Sequence, residues 1–268
     1  GSAVRGADLL LMGVPTHGFR QVLESVADAV EPGTPVISLA KGFERSTGLR
    51  MSQVAADVLP GRPVGVLTGP NLAREILEGR SAATVIAATD PSAASALQGL
   101  LASERLRVYT NDDLVGCELG GALKNVIALA AGMAEGLDTG DNARAALITR
   151  GLAEMTRLGV ALGGDPMTFA GLAGMGDVMA TCMSPQSRNR WVGEQVGRGA
   201  SPESVLAGMD QVAEGVRTAA VACEMADAVG VKVPVAEGVR SVFDEGRSPT
   251  EVWSMLMSRR SGPEVATT

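Results

Sequence analysis

Aromatic side chains make up only 3% of this 268-residue chain: one Tyr, four Phe and two Trp. A stacking platform for nucleic-acid bases is excluded on that count, and the core must be built from Ala, Val, Leu, Ile and Met. A single histidine, His17, rules out a multi-histidine metal cage. The three cysteines, Cys117, Cys182 and Cys223, are widely spaced and odd in number. That pattern predicts a reducing compartment, with neither a disulfide frame nor a zinc site. No apolar run reaches the length of a membrane span without a glycine or a charge, and no basic leader precedes an apolar one, so a cytoplasmic protein is expected. With a formal charge of −7 and no cluster of Lys or Arg, nucleic acid and membrane surfaces are not expected partners.

Lysine is the most informative scarcity. Of the 23 basic residues, only Lys41, Lys124 and Lys232 are lysines. Solvated cations in this chain are written as Arg. A lysine that persists suits a task guanidinium cannot do, because a desolvated ammonium can exchange a proton near neutral pH and a guanidinium cannot.

What is present divides the chain near residue 110. Before it, short apolar runs alternate with helical stretches. Strands are predicted over 7–15, 35–40, 64–68, 83–88 and 106–110, with helices over about 16–30 and 50–59. Runs apolar on both faces and separated by helices predict a mainly parallel α/β sheet. After it, strand signals nearly vanish. Helices are predicted over about 112–135, 142–162, 167–182, 188–198, 201–207, 214–229, 234–245 and 249–257. The expected domains are a partial dinucleotide-binding domain over 1–110, an all-α substrate and catalytic domain over 111–258, and a small polar tail over 259–268.

Chemistry can be placed on this frame. Ligands of open α/β sheets bind beyond the carboxyl ends of the strands. His17, Lys41 and the turn from Gly69 to Ala73 sit at three such ends, and a shared crevice is expected there. Gly120, Gly121 and Ala122 disfavour a helix by propensity, so they are read as places where another backbone or a ligand comes close. Lys124 and Asn125 follow at once in apolar surroundings, which would lower the lysine pKa. Gly171, Gly174 and Gly176 lead to Asp177. Ser187, Arg188 and Asn189 then open a helix, where free N–H groups beside an arginine suit a phosphate. Each of these signals alone has an ordinary structural explanation.

Together, in this order, they resemble a known family. Ser38-Leu39-Ala40-Lys41-Gly42, Gly69-Pro70-Asn71-Leu72-Ala73, Gly120-Gly121-Ala122-Leu123-Lys124-Asn125-Val126, Gly171-Leu172-Ala173-Gly174-Met175-Gly176-Asp177, Ser187-Arg188-Asn189-Arg190 and Glu214-Gly215 fall in sequence with the spacing of the bacterial-type NAD(P)-dependent glycerol-3-phosphate dehydrogenases. The resemblance spans residues 3 to 258. It implies a Rossmann-like domain followed by an all-α domain, with NAD or NADP as cofactor. It also implies interconversion of sn-glycerol 3-phosphate and dihydroxyacetone phosphate, supplying glycerol phosphate for phospholipid synthesis.

Residue by residue, the resemblance implies Lys124 as the proton acceptor and donor. Lys41 would touch both cofactor and substrate. Gly69, Asn71, Asp177, Ser187, Arg188 and Asn189 would contact the substrate, while Ala73, Arg188, Val212 and Glu214 would contact the cofactor. Asn71 stands where the family more usually has Ser. The family opens with a G-x-G-x-x-G-type turn that this sequence lacks. The chain is therefore expected to start at a later strand, roughly 65–70 residues into the family pattern, with exposed sheet edges that favour association, such as a homodimer. An impaired chain that keeps phosphometabolite binding or oligomerisation is the alternative expectation. So is a related hydroxyacid dehydrogenase, against which Ser187, Arg188 and Asn189 speak.

Overall fold

A computed structural model describes residues 3–209 and 213–259. Val212 and most of the predicted tail lie outside the described residues.

The first domain is built on five strands, β1 (Leu10–Met12), β2 (Val36–Ser38), β3 (Val64–Thr68), β4 (Ala82–Ala88) and β5 (Leu106–Asn111). They lie side by side in chain order. β1–β2, β2–β3 and β4–β5 are parallel, and β3–β4 is antiparallel. The mainly parallel expectation holds, with one reversal. The link between β3 and β4 carries only a short helix, α3 (Ala73–Leu77), and so turns the chain back instead of crossing over the sheet. Around the sheet pack α1 (Thr16–Val26), α2 (Met51–Val58) and α4 (Pro91–Leu101). Phe19, Leu23, Val36, Met51 and Val54 fill the α1–α2 side, and Ile37, Ile86, Leu97 and Val108 belong to the cluster that includes α4. β1 is an edge strand and leaves Leu11 42% exposed.

The second domain is helical. Its axis is α5 (Leu114–Gly136), started by Asp113, whose side chain accepts the Gly116 N–H. α5 is long and apolar enough to cross a membrane by length and composition, but 89% of its most apolar window is buried inside the protein. Around it stand α6 (Asp141–Ala161), α7 (Pro166–Ala170), α8 (Asp177–Met183), α9 (Arg188–Gly197), α10 (Pro202–Ala207), α11 (Glu214–Val229), α12 (Pro234–Phe243) and α13 (Pro249–Met257). The single helix predicted over 167–182 is instead three pieces. A π-helical turn at Leu172–Gly176 separates α7 from α8. The cause is crowding: a Cβ at Gly174 would overlap the Phe169 backbone, and one at Gly120 of α5 would lie 2.5 Å from the Ala173 oxygen. The glycines there let backbone meet backbone, and the π turn re-aims the chain into Asp177.

The tightest packing in the domain is between α5 and α9. Gly132 and Gly136 face α9, and Gly193 and Gly197 face α5, each pair four residues apart. A Cβ on any of the four would overlap a backbone atom of the opposite helix: the Arg190, Glu194, Leu129 and Met133 carbonyl oxygens, respectively. The helices thus touch through their main chains. We expect Gly193→Ala to lower the unfolding free energy by about 1–3 kcal/mol, the usual cost of overpacking, read from urea denaturation. Unchanged stability would mean the seam is loose.

On the far side of α5, Glu154 of α6 is buried and accepts the Val235 N–H at 2.8 Å and the Ala236 N–H at 2.9 Å, the free donors at the start of α12. Burial pushes this carboxyl up to about 7, against the pull of those two N–H groups. The folded chain therefore holds the proton more tightly than the unfolded one. Its contribution favours folding below the ordinary value of 4.5 and is lost as the pH rises to about 7. Stability of the unmodified chain should fall over that window more steeply than that of Glu154→Gln. Parallel pH profiles in urea titrations would exclude the linkage.

Candidate active site

The ends of β2 and β3 meet against α5. Lys41 leaves the end of β2, and Gly69 leaves the end of β3 with φ of +108°, a backbone conformation suited to glycine. α5 presents Gly121 to them. A Cβ there would stand 2.7 Å from the Thr68 Oγ1 and 3.5 Å from the Lys41 Cγ. Gly121, which disfavours the helix by propensity, is thus what admits the sheet domain to Lys124, one turn further on, while Gly120 admits the turn that leads to Asp177.

At the centre is one carboxylate shared by two ammonium groups. Asp177 Oδ2 accepts from Lys41 Nζ at 2.5 Å, and Asp177 Oδ1 lies 3.0 Å from Lys124 Nζ. Lys41 also donates to the Gly69 carbonyl at 2.8 Å, and Lys124 to Thr181 Oγ1 at 2.7 Å. Thr181, one helical turn after Asp177, donates to Asp177 Oδ1 at 3.1 Å. Lys124 is buried, 8% exposed, and Asp177 only 2%. Burial and, next, the neighbouring Lys41 charge bring the Lys124 ammonium down to about 8, although Asp177 pulls the other way. Burial alone would raise the Asp177 carboxyl, but Lys41 and Lys124 outweigh it and hold it below the usual carboxylate range. Cys182 sits next to this cluster, and burial pushes its thiol up to about 12. It stays protonated and is no nucleophile.

Four of the expected residues meet here. Lys41, Gly69, Asp177 and Lys124 form one hydrogen-bonded cluster. Asn71 joins it through threonines: its Nδ2 donates to Thr84 Oγ1 at 2.9 Å, and that hydroxyl donates to the Thr68 carbonyl at 2.8 Å. The Thr84 hydroxyl spends its one hydrogen on Thr68, so it must accept from Asn71, and the amide orientation is fixed. Asn71 Oδ1 and Thr68 Oγ1 are then buried with no hydrogen-bond partner among the described residues, and so are open to a ligand. Ser187 caps α9, accepting the Arg190 N–H at 3.2 Å. Arg188 is the first residue of that helix, exposed and in no ion pair among the described residues. Ala73 is exposed at the start of α3, and Gln186, just before α9, reaches Glu75 of α3 at 3.4 Å. The two helix starts therefore face each other across the crevice.

Two residues behave differently from the expectation. Asn189 is buried and its carboxamide is engaged within the protein, with Asn125 and with the Gly215 N–H. Glu214 does not point into open space but caps α1, taking the Thr16 N–H at 3.2 Å and the Thr16 hydroxyl at 2.6 Å. His17 lies exposed on the first turn of α1, with Thr16 facing inward. Thr181 and Thr68 escaped sequence reasoning. Thr181 could have been found from its i+4 spacing to Asp177 on one helix face.

The residues fit a dinucleotide at its nicotinamide end: a crevice beyond parallel strand ends, a lysine reaching into it, and two buried polar atoms left open. Replacing Asp177 by Asn would leave two ammonium groups facing each other without a counter-charge. We expect Asp177→Asn to cost about 3–5 kcal/mol at neutral pH, measured by chemical denaturation. A loss under 1 kcal/mol would show that the lysines escape to solvent.

The sequence and fold also match known proteins. Residues 1–94 match the family model described as NAD-dependent glycerol-3-phosphate dehydrogenase N-terminus, and residues 113–254 match the corresponding C-terminus. The chain is 55% identical over 262 residues to glycerol-3-phosphate dehydrogenase [NAD(P)+] 2 of Sphingopyxis alaskensis, covering 98% of this chain and 79% of that protein. It is 50% identical over 263 residues to the Mycobacterium avium glycerol-3-phosphate dehydrogenase [NAD(P)+], covering 98% and 77%. The crystal structure of the Coxiella burnetii glycerol-3-phosphate dehydrogenase superposes with a TM-score of 0.91 at 34% identity, over 95% of this chain and 78% of that one.

Proposed function

Because this chain belongs to the NAD-dependent glycerol-3-phosphate dehydrogenase family, an NAD(P)-dependent oxidoreductase family, we propose that it interconverts sn-glycerol 3-phosphate and dihydroxyacetone phosphate with Lys124 as the group that exchanges the substrate proton. The observation that carries this reading is a buried lysine brought to about 8 and aimed by Asp177 and Thr181. Near neutral pH such a group can both give and take a proton.

The chain's residues divide the work. When bound, the nicotinamide supplies or accepts the hydride at the substrate carbon. As the carbonyl oxygen of dihydroxyacetone phosphate turns into an alkoxide, the Lys124 ammonium hydrogen-bonds it and then protonates it. In the reverse direction the neutral Lys124 amine takes the hydroxyl proton. Lys41 adds a second positive charge where negative charge grows in the transition state. Asp177 keeps both ammonium groups in place without meeting the substrate oxygen as a competitor, because its two oxygens are already occupied. The open Asn71 Oδ1 offers an acceptor for a substrate hydroxyl, a part a serine would fill as both donor and acceptor. Arg188 and the free N–H groups at the start of α9 take the phosphate.

Lys41, Ala73 and Arg188 would hold the nicotinamide half of NAD or NADP, and Glu214 would reach it only by giving up Thr16. No G-x-G-x-x-G turn occurs among these 268 residues, so the grip available within them is this one. Reduction would supply glycerol phosphate for phospholipid synthesis. A cytoplasmic setting is in keeping with three free, buried cysteines.

Lys124→Ala should lower turnover by several orders of magnitude, roughly 10²–10⁴-fold or more, while calorimetric binding of glycerol 3-phosphate changes little. Near-normal turnover would remove the assigned role. In the unmodified chain, oxidation of glycerol 3-phosphate needs the neutral amine, so its rate should rise with pH through about 8, whereas reduction needs the ammonium and should fall over the same range. A flat profile in both directions would count equally against it. Calorimetry with NADH alongside glycerol 3-phosphate separates a working enzyme from a chain that binds only the phosphate ligand.

A further inference from the structure

Lys41 belongs to the sheet domain, while Asp177 and Lys124 belong to the helical one. Something must hold the Lys41 backbone against α5, and the ion pair alone does not, since a lysine side chain can follow its partner from many backbone positions. Phe43, two residues on, anchors the segment in the helical core, and Asn125, the residue after Lys124, fixes the Lys41 peptide itself. It is buried, 4% exposed. Its Nδ2 donates to the Lys41 carbonyl at 3.1 Å, and its Oδ1 accepts from Asn189 Nδ2 at 3.0 Å. Asn189 Oδ1 in turn accepts the Gly215 N–H at 3.0 Å.

The chain of bonds has one polarity. The Gly215 N–H can only donate and the Lys41 carbonyl can only accept, so both amides are locked in orientation. A flipped Asn125 would set oxygen against oxygen at Lys41. The remaining contacts close a ring. Next to Gly215, Glu214 takes the Thr16 N–H and hydroxyl. Next to Lys41, a Cβ on Gly42 would lie 3.0 Å from the Thr16 Cγ2 and 3.5 Å from the Glu214 Oε2. Gly215 is equally confined, since a Cβ there would lie 2.6 Å from the Asn125 carbonyl and 2.8 Å from Asn189 Oδ1. The ring joins α1 and the end of β2 to three helices of the other domain, α5, α9 and α11, and Asn125 is the point where it crosses α5.

We propose that Asn125 is a positioning residue whose carboxamide fixes the Lys41 backbone and so keeps the Lys41 ammonium on Asp177 beside Lys124. Its importance for turnover rests on the reading of Lys124 as proton carrier, but its structural effect does not. The charged and titratable groups facing Lys124 are Lys41, Asp177 and Cys182, with Thr181 as a neutral partner. Without the Asn125 donor, the Lys41 carbonyl turns to water and the loop retreats from α5. Lys124 then loses a repelling charge and has Asp177 to itself. Both changes favour its ammonium form.

A chain with three lysines makes this measurable. With lysine labelled at 13Cε, the free protein gives three signals to titrate, and Lys232→Arg identifies one of them. In the unmodified chain the Lys124 signal should titrate at about 8. In Asn125→Ser, which is uncharged and too short to span both partners, the midpoint should move up by about one pH unit, with the fold verified by thermal unfolding. Asn125→Thr, nearer in volume, repeats the measurement if the serine variant does not fold. A folded variant whose Lys124 midpoint stays where it was overturns the proposal. The experiment needs neither cofactor nor turnover. Its failure is therefore separate from failure of the proton-transfer reading, which the Lys124→Ala assay decides.

Discussion

Two ammonium groups in a buried site repel each other and are costly to desolvate, and one carboxylate between them makes the arrangement stable. The Asp177 carboxylate is the constraint on which the site depends. Each of its oxygens is assigned to a different lysine, so neither lysine can take both. The same bridge joins the two domains, because Lys41 follows a strand and Lys124 stands on the axial helix. Charge compensation and domain docking are thus one interaction. Its asymmetry also matters: the Lys124 side chain is more deeply buried than that of Lys41, and that burial is the main cause that brings the Lys124 ammonium down.

Delivering these groups takes unusual backbone on both sides. On α5, Gly120 and Gly121 remove the side chains that would keep the Asp177 segment and the strand ends away. On the opposing chain, a π turn rotates the helix so that Asp177 and Thr181 face inward together. A regular helix from 167 to 182 would place these residues differently relative to Phe169, which fills the space behind them, 1% exposed. Local irregularity here is set by packing and serves the geometry of the lysines.

The strands and the axial helix were legible in the sequence because apolar periodicity and buried apolar runs report them directly. Lys124 was legible because lysine is rare in this chain and follows glycines. The π turn was not, since the apolar pattern runs on unbroken through 167–182 and only the three-dimensional crowding at Phe169 interrupts it. The reversal at β4 was hidden as well: the segment from Gly69 to Ser81 carries no short hairpin dipeptide, and α3 is only five residues long. Thr181 and Thr68 are common residues in apolar settings, and their roles arise from partners far away in sequence. Asn189 was legible as a polar residue at a helix start, but its bonds to Asn125 and Gly215 could not be read from spacing.

The contact between α5 and α9 through four glycines has a mechanical consequence. Main chain against main chain leaves no rotamers to rearrange, so the two helices cannot slide or roll without their backbones colliding. The α9 start and Lys124 therefore form a single stiff body, the stator of the site. The sheet domain is fastened to that body differently, through the carboxylates of Asp177, Glu118 and Glu214 and an apolar cluster around Cys117, so motion that admits or releases ligands falls to it more readily. Opening the crevice means lifting Lys41 away from a platform that does not itself change shape.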